Sequence, residues 1–296
     1  MEIRHLKTFM KVAHLLNFNQ AAKALNCSQS TVSAQIKLLE EELDVLLFDR
    51  LGKKIALTDA GSKLIRYGRK MIDIEKETFS EIAGNGEPVG DISIRAPQSV
   101  GTYLIPEVLE IFRRSYPGAG FNIETCSIVS LKDELRSGIV DLAFLLADQA
   151  AVKEFQTEVL RIEPLVLIAV PGHSLTLKNE IRIQDLNGET IILPKHDCGY
   201  KMVFEKMLEE QNIKTASKME FNSVEAVKRC VMKGIGISII PRLSVRDEIK
   251  AGNLAVLPLT DETLETCVLM IWHKNKWLSP ILTEFMDCAR KTIPLI

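Results

Sequence analysis

Hydrophobic residues in the first sixty positions recur with the period of α-helices, interrupted by short polar turns. In residues 3–16 they stand three and four positions apart, as one buried helix face requires, and comprise Ile3, Leu6, Phe9, Met10, Ala13 and Leu16. Asn19 is predicted to cap a short second helix over residues 20–25, and Ser28 to cap a third that runs to about Glu42. A short helix, a tight turn and a second helix with a polar start predict a helix-turn-helix.

The start of the third predicted helix carries hydroxyl and amide side chains. Such groups can form hydrogen bonds with base edges or phosphates, and Lys37 further along can reach a phosphate. Residues 47–57 predict a hairpin with basic residues, the wing of a winged helix. The alternative is a small three-helix domain with a solvated polar face. The candidate DNA-binding residues are Ser28, Gln29, Ser30, Thr31, Ser33, Gln35, Lys37, Arg50, Lys53 and Lys54.

Residues 58–83 are compatible with one long helix, which Thr58 caps and residues 84–88 end. Its apolar stripe has little of its own domain to cover it, so we expect it to pair with the same helix of a second subunit. A dimer also places two reading helices on a pseudo-palindromic site. The stripe comprises Leu64, Tyr67, Met71, Ile74 and Phe79.

From about residue 91 onward, short apolar runs alternate with helical segments. This alternation predicts an α/β fold with helices flanking largely parallel sheets, and the number of strands predicts two subdomains. Predicted strands lie at 91–95, 121–125, 141–145, 165–170, 190–193, 237–240 and 268–272. Predicted helices lie at about 102–115, 131–138, 200–211, 224–233, 243–251 and 279–291.

Charge divides the chain of 296 residues into a basic front and an acidic back. Residues 1–70 hold 12 Lys and Arg against 7 Asp and Glu, a net charge of +5, whereas the remainder carries −7 and the whole chain −2. This asymmetry suits a chain whose first part meets a polyanion, and chance variation is the alternative. The content of 46% hydrophobic and 26% charged residues is typical of globular proteins.

Residues 18–36 resemble the N-terminal signature of LysR-type transcriptional regulators. They read FNQAAKALNCSQSTVSAQI, and later blocks follow in the order of that family: LLE at 38–40, LFDR at 47–50 and LTDAG at 57–61. Ala34 stands where many members carry arginine, so one DNA contact of this helix is missing. The resemblance implies a multidomain α+β chain. Its parts are an N-terminal winged helix-turn-helix, a long linker helix and a C-terminal effector domain with two α/β lobes like those of periplasmic binding proteins.

The resemblance also implies domain boundaries and partners. The DNA-binding domain is expected at 1–58, the linker helix and hinge at 59–87, and the effector-binding domain at 88–296, with lobe I at about 88–161 and 268–296 and lobe II at about 162–267. The implied function is transcriptional regulation by a homodimer or homotetramer on a promoter site in double-stranded DNA, controlled by a small, anionic effector. RNA polymerase is a further candidate partner.

Candidate effector contacts lie in strand-to-helix loops, because ligands of α/β folds sit beyond the carboxyl ends of strands. Aligned with the family's effector loop, Ser99 and Thr102 would bond to an anionic group; a helix cap alone is the alternative. Ile128 stands where a polar residue is common, which suggests a less polar or differently oriented effector. The full set is Ser99, Val100, Gly101, Thr102, Ser127, Ile128, Cys198, Tyr200 and Ser223.

Cys198 raises a second functional hypothesis, a redox-sensing regulator of the same family. It precedes a predicted helix and stands near Lys195 and His196, a setting that favours a reactive thiolate. Peroxide sensors of the family pair a similarly placed cysteine with another nine residues on, where this chain has Met207. A disulfide partner would then be a distant residue such as Cys230. A cavity-lining cysteine and plain packing are the other interpretations.

Several functional classes lack their motifs. The six cysteines contain no C-x-x-C pair and the five histidines show no metal-ligand spacing, so we expect neither a metal nor a cofactor. Walker A, H-E-x-x-H and G-x-S-x-G sequences are absent, so we expect no enzymatic activity. No membrane-length apolar stretch and no signal peptide are seen, so we expect a cytoplasmic protein without a membrane partner. A solute-binding or enzymatic α/β protein with an incidental N-terminal domain is the remaining alternative.

Overall fold

The computed structural model describes residues 1–51, 54–83, 90–125, 128–147, 154–195, 199–260 and 264–294, apart from the side chains at 50, 51, 54, 76, 80, 81, 83, 128 and 129. The first part contains three helices and an antiparallel hairpin, which confirms the predicted winged helix-turn-helix. These elements are α1 (Ile3–Leu15), α2 (Phe18–Ala24), α3 (Gln29–Leu43), β1 (Phe48–Leu51) and β2 (Lys54–Leu57).

Polar residues set where the second and third helices begin. Ser28 Oγ accepts a hydrogen bond at 3.0 Å from the backbone N–H three residues on, which confirms the predicted cap of α3. The predicted cap of α2 is wrong, because Asn17 and not Asn19 accepts the equivalent bond, also at 3.0 Å. Asn17 has the extended backbone of a cap residue, so α2 begins at Phe18, whose ring packs against Phe48 in the apolar core.

Helix α4 (Asp59–Ala83) follows the wing and is capped as predicted: Thr58 Oγ1 accepts a hydrogen bond from Gly61 N at 2.9 Å. Gly61 has to be a glycine, because an added Cβ would lie 2.2 Å from the carbonyl oxygen of Leu47. The helix buries Ile65 against the N-terminal core. Other apolar side chains of α4 are exposed, namely Tyr67, Met71, Ile74, Phe79 and Ile82.

The C-terminal part has two lobes. The first contains β3 (Asp91–Ala96), α5 (Gln98–Tyr103), α6 (Ile105–Ser115), β4 (Gly120–Thr125), α7 (Ile128–Ser137), β5 (Leu142–Ala147) and the last helix, α11 (Pro280–Thr292). The second contains β7 (Thr190–Pro194), α8 (Gly199–Glu210), β8 (Ser217–Phe221), α9 (Val224–Met232), β9 (Ser238–Pro241), α10 (Arg246–Lys250) and β10 (Ala255–Leu257). Two long strands connect the lobes, β6 (Phe155–Ala169) and β11 (Glu265–His273).

The connecting strands make the sheets mixed. A seven-stranded sheet has the order β10-β6-β11-β5-β3-β4, with β9 also paired to β6, and β7 and β8 form a separate pair. The pairs β3–β4, β3–β5 and β7–β8 are parallel, as predicted. The prediction is wrong at the connecting strands, because β11 is antiparallel to β5 and β6, and β9 and β10 are antiparallel to β6. The chain advances along β6 and returns along β11, so these neighbours run in opposite directions.

Strand β6 is also longer than predicted. The pattern identifies only its apolar second half, whereas the first half mixes polar and apolar residues without regular alternation and contacts distant partners. Arg290 of α11, for example, donates hydrogen bonds to Glu158 at 2.8 Å. Two further strands lack a sequence signal, since β8 is mostly exposed and β10 has only three residues.

Candidate functional site

The first turn of α3 presents a cluster of polar side chains. Ser28 Oγ lies 2.7 Å from Ser30 Oγ and 2.8 Å from Thr31 Oγ1, and all three residues are exposed. Gln29, also exposed, donates a hydrogen bond from Nε2 to Ser33 Oγ at 2.8 Å. Hydroxyl and amide groups of this kind can bond to base edges, and the N-terminus of a helix favours phosphate oxygens. The structure therefore brings five of the predicted DNA-binding residues together on one surface.

Gln35 and Lys37, further along α3, differ in how firmly their side chains are held by other residues. Thr8 Oγ1 donates a hydrogen bond to Gln35 Oε1 at 2.6 Å, which ties the half-buried amide to α1 and leaves its N–H groups for another acceptor. The Lys37 side chain is 76% exposed and lies 3.4 Å from Glu41, a surface pair of little strength. Lys37 can therefore exchange this carboxylate for a phosphate.

The wing follows α3 as a hairpin in which Arg50 pairs with Ile55, and Leu51 with Lys54. The side chains of Arg50 and Lys54, and the whole of Lys53, lie outside the described residues. Their contacts with phosphates therefore stay predictions.

In the C-terminal part, the two lobes are joined by hydrogen bonds between α5 and the start of α9. Val224 N donates to Gln98 Oε1 at 2.7 Å, and Gln98 Nε2 donates to Ser223 Oγ at 3.4 Å. Ser223 in turn caps α9. A side chain of the first lobe thus satisfies a backbone N–H at the helix terminus of the second.

A second cross-lobe contact is centred on Lys228, whose side chain is only 3% exposed. Its Nζ donates to Tyr103 Oη of α5 at 2.7 Å, lies 2.7 Å from Glu225 and 2.6 Å from Glu248, and donates to the Ser244 carbonyl at 3.0 Å. Burial opposes a charge on Lys228, but the hydrogen bonds outweigh it and raise the pKa. Burial and the hydrogen bond from Tyr103 to Glu225 raise the pKa of Tyr103 to about 12.

The predicted effector contacts have different environments. Ser99 and Val100 are fully buried at the start of α5, Gly101 is half-buried, Thr102 is exposed, and Ser223 lies at the cross-lobe contact. Tyr200 is fully buried in the same core cluster as Phe204, so in this conformation it presents no surface to a ligand. Ser127, Cys198 and the side chain of Ile128 lie outside the described residues.

Sequence reasoning missed the residues that join the lobes, above all Gln98, Tyr103 and Lys228. A signal exists for Lys228, because it lies on the helix face formed by Val224, Val227 and Val231, where a lysine needs a charged partner. Gln98 and Tyr103 flank the predicted effector contacts at residues 99–102, but their partners are more than 120 residues away along the chain.

The described part of the chain contains neither a cluster of metal ligands nor a helix suited to a membrane. None of its His, Cys, Asp and Glu side chains forms a group of three or more suited to a metal ion. No helix there combines the length and apolar character that a membrane span requires.

Comparison with known proteins identifies both parts of the chain. The model for "Bacterial regulatory helix-turn-helix protein, lysR family" matches residues 3–62, and that for "LysR substrate binding domain" matches residues 85–294. YwqM of Bacillus subtilis, an uncharacterised HTH-type transcriptional regulator, is 34% identical over 293 residues, which is 99% of each chain.

Solved structures share the fold. A full-length OxyR variant from Pseudomonas aeruginosa aligns with a TM-score of 0.72 at 24% identity, over 99% of this chain and 94% of that one. Full-length CbnR complexed with its target DNA has a TM-score of 0.62 at 22% identity, and the alignment covers 99% of this chain and 100% of that one. The CcmR regulatory domain of Synechocystis in complex with 2-PG has a TM-score of 0.62 at 21% identity, and the alignment covers 69% of this chain and 97% of that one.

The family models cover the helix-turn-helix and nearly all of the two-lobed part. YwqM, which matches over 99% of its length, is an HTH-type transcriptional regulator. The chain therefore belongs to the LysR family and is a LysR-type transcriptional regulator with an N-terminal DNA-binding domain and a C-terminal effector-binding domain.

Proposed function

We propose that the protein binds a pseudo-palindromic promoter site as a homodimer or homotetramer, and that a small anionic metabolite bound between the lobes controls this binding. The observation that carries the proposal is the bond from Val224 N to Gln98, which makes polar groups of both lobes meet where a ligand would alter their relative position. A ligand with higher affinity for one arrangement of the lobes shifts the population towards it.

The DNA contacts are proposed from the surface of α3 and from the wing. Bases are read by the polar start of α3, and phosphates are contacted by the basic residues. CbnR, which shares the fold, has been solved with its target DNA, and this supports the assignment. The base-reading residues are Ser28, Gln29, Ser30, Thr31, Ser33 and Gln35, and the phosphate-contacting residues are Lys37, Arg50, Lys53 and Lys54.

The effector contacts are proposed from α5, from the starts of α7, α8 and α9, and from Ser127 and Cys198, which directly precede α7 and α8 in the sequence. The 2-PG complex of the CcmR regulatory domain supports a small molecule as the effector of a domain with this fold. Ser99, Val100 and Tyr200 are fully buried and would take part only after a movement that exposes them. The proposed contacts are Ser99, Val100, Gly101, Thr102, Ser127, Ile128, Cys198, Tyr200 and Ser223.

The assembly is proposed from the exposed apolar side chains of α4, which a second copy of the helix would cover. We divide the chain into a DNA-binding domain (1–58), a linker helix with hinge (59–87) and an effector-binding domain (88–296). At a promoter the protein would lie beside RNA polymerase, which we propose as a further partner. A catalytic role is not part of the proposal, since the relatives are transcriptional regulators.

The effector proposal is tested by a thermal-shift screen of the full chain with 2-PG, other small carboxylates and aromatic acids, with and without peroxide. A ligand at 100 times its dissociation constant adds about 2.7 kcal/mol of stability. We expect a ligand whose shift is reduced in Thr102→Ala but unchanged in Thr283→Ala, an exposed threonine of α11. A shift seen only on oxidation, and removed by Cys198→Ser, would replace the metabolite by the redox mechanism.

A further inference from the structure

A cavity of about 310 Å³ separates α4 from the first lobe, apart from both the DNA-binding surface and the cross-lobe contact. We call it the junction cavity. Helix α4 contributes Arg66, Tyr67 and Lys70, the end of α7 contributes Arg136, and the segment after β11 contributes Lys276 and Trp277. A ligand in this cavity would therefore contact the linker helix and the effector domain at the same time.

One wall of the junction cavity is an ionic anchor that already holds α4 in place. Arg69 of α4 donates hydrogen bonds to the Gly138 and Ile139 carbonyls at 2.9 and 2.7 Å, and its Nη2 lies 3.3 Å from Asp141. Lys276 lies 2.6 Å from the same carboxylate, which is almost completely buried. Arg69 and Lys276 thus share the single negative charge of Asp141, and these three side chains together leave a net positive charge at the cavity.

Within the residues that the structure describes, two further cations on α4 have only aromatic partners. The Arg66 guanidinium lies 4.7 Å from the centre of the Tyr67 ring and donates to its hydroxyl at 2.9 Å, and Lys70 Nζ lies 5.9 Å from the centre of the Trp277 ring. Within the described part of the chain, neither Arg66 nor Lys70 forms an ion pair with a carboxylate. Both are exposed at the cavity and can therefore turn towards an anion without breaking a salt bridge.

The surrounding charges leave the cavity positive. Its five cations are Arg66, Arg69, Lys70, Arg136 and Lys276. They face four carboxylates, since Asp73 lines the cavity, Asp141 forms the anchor, and Asp133 and Glu154 pair with Arg136. The pKa of His273, which also lines the cavity, is lowered by burial and by Arg66, Lys274 and Arg136, against the opposing effect of Glu154.

We propose that the junction cavity binds a phosphate group, held by Arg66 and Lys70, and that the bound group fastens the linker helix to the effector domain. A guanidinium offers a planar pair of donors that matches phosphate oxygens, and an ammonium adds a point charge. The cavity volume admits either free phosphate or the phosphate end of a phosphomonoester. This site would provide a second input to the regulator, independent of the effector between the lobes.

Trp277 makes the proposal directly measurable, because Lys70 lies over its ring. The chain has two tryptophans, so Trp272→Phe leaves Trp277 as the reporter in the full-length protein. We expect a saturable change of its emission when inorganic phosphate is added at constant ionic strength. In this background, Arg66→Gln/Lys70→Gln should weaken the apparent affinity at least tenfold. Lys70→Arg should keep it, as should Lys63→Gln, which changes an exposed lysine of α4 outside the cavity.

Other ligands and variants decide what is bound and where. Glycerol 3-phosphate binding more tightly than inorganic phosphate would identify a phosphomonoester as the ligand, and the reverse would identify free phosphate. An equal response to chloride would show simple screening and overturn the proposal. So would an unchanged affinity in the folded Arg66→Gln/Lys70→Gln variant, or a loss in Thr102→Ala, which would place the binding between the lobes.

Discussion

At the scale of single residues, the DNA-binding surface is already hydrogen-bonded to itself. Gln29 bonds to Ser33, and Ser28 bonds to Ser30 and Thr31, so DNA bound as we propose would replace these contacts with its own. Such exchange is cheap because the groups are exposed and water can take part in it. The half-buried Gln35, in contrast, is held through its oxygen and can offer only its N–H donors.

We expect Gln29→Ala/Thr31→Ala to remove sequence preference and leave the fold intact. The cap of α3 survives, because it uses the Ser28 oxygen and the backbone N–H of Thr31. A good base contact contributes about 1–3 kcal/mol of discrimination, so the ratio of specific to non-specific affinity should fall at least about tenfold. Binding at fixed salt to a duplex selected by the unmodified protein, and to a scrambled duplex, measures this ratio.

Lys37→Ala is the matched control for base reading. A phosphate contact carries no sequence information, so its loss should weaken binding to both duplexes equally. The slope of the logarithm of the binding constant against the logarithm of the salt concentration should become shallower by about one. An unchanged ratio of affinities in Gln29→Ala/Thr31→Ala would remove these two residues from base recognition.

At the scale of elements, α5 and α9 are the helices through which the two lobes meet. Lys228 is buried among Tyr103, Glu225, Glu248 and the Ser244 carbonyl, and each of these partners loses its cation if the lysine is removed. Removing this lysine costs more than losing a surface pair, because it deletes several hydrogen bonds of a buried charged group at once.

We expect Lys228→Ala to lower the free energy of unfolding by about 2 kcal/mol, the contribution of hydrogen bonds to a charged group, because Glu225 and Glu248 remain partly exposed to water. Tyr103→Phe should lower it by about 1 kcal/mol, because it removes only a hydroxyl from the same network. Lys233→Ala, at the exposed end of α9, should change it by less than about 0.5 kcal/mol. Urea denaturation measures all three, and equal effects of Lys228→Ala and Lys233→Ala would show that the network around Lys228 adds no stability, whereas no effect of Tyr103→Phe would show that its contact across the lobes adds none.

The elements also show what the sequence can predict. The predicted helices and strands that the structure contains are those with strong periodicity or a continuous apolar run, because these signals are local. Strand β6 was missed over its first half since its charged residues are matched by partners such as Arg290, far along the chain. The bond between Gln98 and Val224 likewise depends on two segments 126 residues apart meeting in space, and no local pattern encodes it.

At the scale of the whole molecule, α4 connects two domains and leaves one surface uncovered. Lys7 of α1 pairs with Glu75 at 2.6 Å, and Arg69 binds the effector domain, so the helix is attached on both sides. The side chains of Met71, Ile74 and Ile82 nevertheless stay 39–82% exposed. These three residues recur along one face of the helix at spacings of three and eight, which suits a helix–helix interface.

We expect Met71→Asp/Ile74→Asp to convert the assembled protein into a monomer. Each subunit of a dimer would lose two buried apolar side chains, at about 1.5 kcal/mol or more each, and would place carboxylates against those of its partner. The dissociation constant should therefore rise at least about a hundredfold. Met202→Asp is the matched control, because it changes an equally apolar and 68% exposed residue of α8. Sedimentation equilibrium measures the assembly, and a double variant that stays as associated as Met202→Asp would show that α4 is not the interface.

If the interface is α4, the monomer should also lose affinity for a pseudo-palindromic site much more than for a half-site, since only a dimer presents two copies of α3.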